Sequence, residues 1–99
     1  MAEEQCTAIV AYEVTHEDCE RFLDSWERAN AFLKAQPGFI STALHHAVSA
    51  NPHFRFVNIS CWANADAFRA ATQNQGFREA SGRLEPFPVY ASVYQVVRT

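Results

Sequence analysis

The stretch Phe56-Val57-Asn58-Ile59-Ser60-Cys61-Trp62 decides how this chain folds. β-Branched and aromatic residues dominate it, and such side chains fit a pleated, half-buried surface, so it reads as a strand. Side chains alternate faces with period two, which places Phe54, Phe56, Asn58, Ser60 and Trp62 on one face. The Asn58 amide and the Trp62 indole N–H then point into the same apolar space, about 13 Å apart along the strand. Buried donors need partners, and a void into which they are aimed binds a ligand instead. The other reading is a core tryptophan, with Asn58 bonded to neighbouring backbone.

Working outward, Cys6 to Val14 (CTAIVAYEV) is a strand. Thr15, with Asp18 three positions on, forms a weak capping box before a helix. Along that helix Cys19, Phe22, Leu23, Trp26, Ala29, Asn30 and Leu33 recur at helical spacing, with charges opposite. Pro37-Gly38 stops it. Phe39 to Val48 forms the next strand, residues 49–52 turn the chain, and His53 to Trp62 is the third strand. Asn64 is placed to cap a helix over residues 65–72. Residues 73–76 interrupt it before a second helical piece from Phe77 to Leu84. Pro86 and Pro88 frame a loop, and Val89 to Val97 is the last strand.

The order βαββαβ makes one domain over residues 1–99, an α+β ferredoxin-like fold with a four-stranded antiparallel sheet. The first and last strands are apolar on both faces, and helices on one side cover only one of them. A second copy packed sheet against sheet is the simplest cover, so a symmetric homodimer is expected.

Composition narrows the function. Hydrophobic residues make up 48% of 99, enough for a packed core. A net charge of −3 argues against nucleic acid or an anionic membrane as partner. No apolar run is long enough to span a membrane, and residues 1–8 lack the basic start and apolar stretch of a signal peptide. Cys6, Cys19 and Cys61 are too oddly spaced for a disulfide framework or a zinc site, which reads as a reduced, cytoplasmic protein. Three glycines in all leave no room for a dinucleotide fingerprint or a phosphate-binding loop. Metal ligation is not expected: His45 and His46 face opposite ways on one strand, and His53 near His46 lacks a carboxylate. His16 is an exposed residue of the first helical turn.

In Pro37-Gly38-Phe39-Ile40-Ser41, in Phe56-Val57-Asn58 with Trp62, and in Phe77-Arg78-Glu79-Ala80, the chain resembles the antibiotic biosynthesis monooxygenase family, dimeric ferredoxin-like α/β barrels. The likeness runs from about Thr7 onward and is nearest to the cofactor-free, quinone-forming oxygenases of aromatic polyketide pathways. It implies a pocket holding a His from strand two, an Asn four residues before a Trp, that Trp, and an Arg from the late helix. These fall on His45, Asn58, Trp62 and Arg78, with Arg83 as the substitute for Arg78. Where those oxygenases carry a helix-two tyrosine this chain has Phe68; Tyr12, Tyr90 and Tyr94 are the residues able to supply a phenol instead.

The implied activity is oxidation of a small electron-rich aromatic, such as an anthrone or hydroquinone, by O2 to a quinone without a cofactor. Asn58 and Trp62 would donate to developing negative charge, Arg78 would add a positive one, and His45 would move the proton. Phe54, Phe56, Phe68, Phe77 and Tyr12 would line the substrate site. Two other functions stand beside this one. A haem-degrading enzyme of the same fold would carry an Asn on strand one, a Trp in helix two and a His some ten residues later. Here Ala11-Tyr12-Glu13, Ala71 and Ser81 stand in those places. A non-catalytic or stress-associated dimer binding a small ligand would use the same pocket.

Overall fold

Strand β3 spans Phe56–Trp62 and pairs on both sides, which makes it central to the sheet. In the computed structural model, which describes residues 4–99, the elements run β1 (Cys6–Tyr12), α1 (Cys19–Lys34), β2 (Phe39–His46), β3, α2 (Ala65–Thr72), α3 (Gln75–Ala80) and β4 (Val89–Tyr94). Short 3-10 turns at His16–Asp18 and Gly82–Leu84 precede α1 and follow α3. Positions 1–3 of the amino-terminal stretch read for a leader lie outside the described residues. The strand order is β2-β3-β1-β4, with every neighbouring pair antiparallel, the ferredoxin-like α+β arrangement.

Register fixes which side chains face the helices. Cys6, Ala8, Val10 and Tyr12 of β1 lie opposite Trp62, Ser60, Asn58 and Phe56 of β3. Strand β2 adds Thr42, Leu44 and His46 to this inner face, and β4 adds Val89, Ala91 and Val93. The first helix lays Phe22 and Ala29 on it, both almost fully buried. The Pro37-Gly38 stop has a steric reason: Gly38 adopts φ +87°, and a Cβ there would stand 2.5 Å from the Ala67 side chain of α2.

Several boundaries differ from those the sequence predicts. β3 begins at Phe56 rather than His53, because residues 53–55 bend and the Arg55 guanidinium Nε donates to the Val14 carbonyl (2.9 Å). Asn64 does cap α2, its Oδ1 accepting the Ala67 N–H at 2.8 Å. A second cap was hidden in the polar interruption: Asn74 Oδ1 accepts the Gly76 N–H at 2.7 Å and starts α3 at Gln75. The Thr15 hydroxyl bonds the Asp18 carboxylate (3.2 Å) instead of a helical N–H. β4 ends at Tyr94, three residues before Val97.

The outer face of the sheet carries Thr7, Ile9 and Ala11 beside Val57, Ile59 and Cys61, with Tyr90 and Tyr94 on β4. No helix among the described residues packs over it, and both tyrosines are about half exposed. No helix among the described residues is long and apolar enough to cross a membrane.

Candidate functional site

The buried side chains between sheet and helices form two clusters rather than one core. One gathers Tyr12, Val14, Phe22, Ala29, Phe56, Leu84 and Phe87, and the other Cys6, Ala8, Trp62 and Ala71. Between them lies a cavity of about 600 Å³, within the range of small-molecule sites. Its floor is the sheet, through Val10, Tyr12, Asn58, Ser60, Val89 and Ala91. One wall is α1, and the other is built from α2, α3 and the segment up to Phe87, including Phe68, Phe77 and Arg78.

Asn58 and Ser60 are buried on the cavity floor, and both are held by neighbours. The Thr42 hydroxyl donates to Asn58 Oδ1 at 2.8 Å, which leaves the amide N–H groups for a ligand. The Trp62 indole N–H donates to Ser60 Oγ at 3.0 Å. A hydroxyl that accepts in this way keeps its own proton free to donate, so Ser60 is a second neutral donor. Tyr12 is buried on the same floor, and burial pushes its phenol up to about 12, so it stays protonated at neutral pH.

The residues expected from sequence separate into two groups. Asn58, Tyr12, Phe68, Phe77 and Arg78 come together around the cavity. Arg78 takes the place for which Arg83 was the substitute, and Arg83 is not on the lining. Trp62 is fully buried but stands behind Ser60, with its ring edge-to-face against Phe39 and Phe68. Its N–H therefore does not point into the cavity, contrary to the sequence expectation, because the strand places a serine acceptor two residues away. Phe56 packs beside the cavity, stacked on Phe22 with centroids 4.7 Å apart.

His45 and Phe54 are corrected outright. His45 pairs with Val57 and lies on the outer face, away from Asn58. His46 takes the inner face, stacked on Phe56 at 4.5 Å, and neither imidazole lines the cavity. Phe54 precedes the regular strand, so alternation does not govern it. It packs edge-on against Tyr90, itself on the outer face, with centroids 5.3 Å apart. There Glu13 accepts from the Tyr90 hydroxyl, which raises that phenol, and lies 3.3 Å from His53 Nε2. Of the three tyrosines weighed for a phenol, Tyr12 alone lines the cavity.

Sequence reasoning missed Ser60, Thr42, Trp26, Asn30 and Glu85. Ser60 shared the face of Asn58 by alternation, and Asn30 was a polar break in an apolar stripe; those were the available signals. Thr42 and Glu85 gave none, since their places depend on cross-strand register and on the loop after α3. Among the described residues no group of three or more His, Cys, Asp or Glu is placed to hold a metal ion.

With this arrangement in view, comparison with known proteins is decisive for the family. The model of the antibiotic biosynthesis monooxygenase family matches residues 6–83. The chain belongs to that family. Curated proteins give no match. Among solved structures, a monooxygenase candidate from Shewanella loihica PV-4 shares 28% identity and a TM-score of 0.86, over 100% of this chain and 99% of that one. SnoaB, a cofactor-independent oxygenase from Streptomyces nogalater, shares 26% identity at a TM-score of 0.85, covering 97% of this chain and 96% of its own. A dimeric ferredoxin-like protein of unknown function from Thermobifida fusca YX, at 18% identity and TM-score 0.72, covers 95% of this chain and 92% of its own and shares the fold. This member of a monooxygenase family carries Asn58 and Ser60 at the bottom of its pocket.

Proposed function

We propose that this protein oxidises a small electron-rich aromatic, of the anthrone or hydroquinone class, with O2 and without a cofactor. The observation that carries the reading is the set of neutral donors, Asn58 and Ser60, fixed by their partners at the base of a largely apolar pocket. The likeness to a cofactor-independent oxygenase supports it. Triplet oxygen reacts slowly with closed-shell molecules, but a phenolate or enolate can pass it one electron. The site's task is then to favour the substrate anion. For an anthrone, the CH2 carbon becomes a carbonyl with one oxygen atom of O2, and the other leaves as water with the two hydrogens.

Within that scheme Asn58 and Ser60 donate to the oxygen on which charge develops. In a dry pocket one such donor is worth about 3 kcal/mol, or roughly a hundredfold in rate. Trp62 acts through Ser60, as a positioning residue. Arg78 supplies fixed positive charge near the anion, and Glu85, the carboxylate on the lining, is the proton acceptor that the histidines do not provide. Phe68 and Phe77 hold the ring and exclude water. The outer sheet face, which no helix among the described residues covers, packs against a second copy to form a homodimer.

Oxygen uptake with 1,8-dihydroxyanthrone, corrected for autoxidation, tests the reaction. Uptake above background that falls about a hundredfold in Asn58→Ala, and falls alike in Ser60→Ala and Trp62→Phe, is the expected result. Background uptake by folded wild-type protein that still binds the ring would sink the catalytic reading. It would favour the second one, a ligand-binding protein, which the lack of an imidazole on the lining supports.

A further inference from the structure

Helix α1 enters the cavity with Trp26, Ala29, Asn30 and Leu33. Spacings of three, four and seven put all four on one helical face, the face that also buries Phe22. Asparagine is out of place there. Its amide loses water on burial and is poorly suited to an apolar stripe unless something replaces the lost hydrogen bonds.

Other polar side chains between the layers have found partners. Ser25 donates to the Arg21 carbonyl (2.9 Å) and Thr72, also on the lining, to the Phe68 carbonyl (3.0 Å). Thr42 is bonded to Asn58 and Trp62 to Ser60. Asn30 is only partly exposed, lines the cavity, and its side-chain amide has no hydrogen-bond partner among the described residues. Its amide stands on the α1 wall, whereas the free Asn58 amide stands on the sheet floor.

We propose that Asn30 is a specificity-determining residue that hydrogen-bonds a ligand oxygen on the edge turned away from the sheet. The ligand is then a flat aromatic oxygenated on two opposite edges, held by Asn58 at one and Asn30 at the other, with the Trp26 indole along the ring. A neutral amide both donates and accepts. It therefore serves a carbonyl or a hydroxyl equally. This inference rests on the pocket being the ligand site, and it needs no turnover.

Anthraquinone and anthrone share one carbon skeleton, but only the first carries oxygen on both edges, so they separate the two contacts. Binding is read anaerobically from quenching of tryptophan fluorescence. The chain has two tryptophans, Trp26 on the lining and Trp62 behind it, and Trp26→Phe identifies the reporter. Wild type should bind anthraquinone about tenfold more tightly than anthrone, the effect of one hydrogen bond. In Asn30→Leu the ratio should fall to about one while anthrone affinity stays within about threefold. Asn30→Ser repeats the test if the leucine variant does not fold. A ratio unchanged in the variants overturns the role of Asn30 and leaves the pocket intact. No quenching by either ring removes the pocket as a ligand site and this inference with it. Correct ratios without oxygen uptake uphold Asn30 and count only against the oxygenase chemistry.

Discussion

The two buried clusters that flank the cavity are built on different principles. The one around Phe22 is aromatic: Phe22 meets Tyr12, Phe56 and Phe87 with centroids 4.7–5.3 Å apart, in stacked and edge-to-face pairs. Such contacts stabilise by buried area and ring geometry, and they depend on no hydrogen bond between the rings. The one around Trp62 is also apolar, but it contains a buried polar link, the indole N–H to Ser60 Oγ. A buried link of this kind contributes little net stability when made and costs more when only half is removed. The difference teaches where each property resides. The Phe22 end anchors the fold, while the Trp62 end fixes the orientation of a pocket hydroxyl.

Phe22→Ala attacks the first end directly and should show the largest effect. Removing a fully buried phenylalanine among three aromatic partners should cost about 3–5 kcal/mol, read from urea unfolding. A loss under about 1 kcal/mol would erase the distinction between the clusters.

The second end is probed by a double-mutant cycle. Ser60→Ala orphans the indole N–H and should cost about 1–3 kcal/mol. Once Trp62→Phe has removed that N–H, adding Ser60→Ala should cost much less, a coupling of about 1 kcal/mol. Simple additivity would mean that the bond does not link the two residues energetically.

Tyr12 belongs to the first cluster and faces the cavity, so it joins the two regions and gives the smallest effect at neutral pH. Its phenol is raised from 10.0 to about 12 by burial, so the folded state holds the proton more tightly than the unfolded chain. The stability this gives is fully present below about pH 10 and is lost as pH rises through about 12. Two units correspond to about 2.7 kcal/mol at the upper limit. Tyr12→Phe should change stability by less than about 1 kcal/mol at pH 7 and flatten the decline between pH 10 and 12. An identical alkaline slope in wild type and variant would assign the decline to other groups, such as the raised Cys6 thiol.

Much of the fold was legible because its signals are local. The helical stripe from Cys19 to Leu33 and the Asn64 cap both depend on neighbours within a few residues. Part of the site followed from the same logic: alternation placed Asn58, Ser60 and Trp62 on one face. Phe54 escaped that logic because it lies outside the regular strand. His45 failed because the family likeness carried a residue type but not the face of the strand on which it stands.

The amino-acid sequence by itself determined the element order, the inward side of β3 and the cavity-facing stripe of α1, since period and capping are properties of the local backbone. Only the tertiary structure decided that Trp62 spends its N–H on Ser60, that Thr42 holds Asn58, that Arg78 and not Arg83 reaches the lining, and that His45 and Phe54 turn away. Those outcomes depend on cross-strand register and on how the helices seat over the sheet, where a shift of one residue exchanges one face for the other.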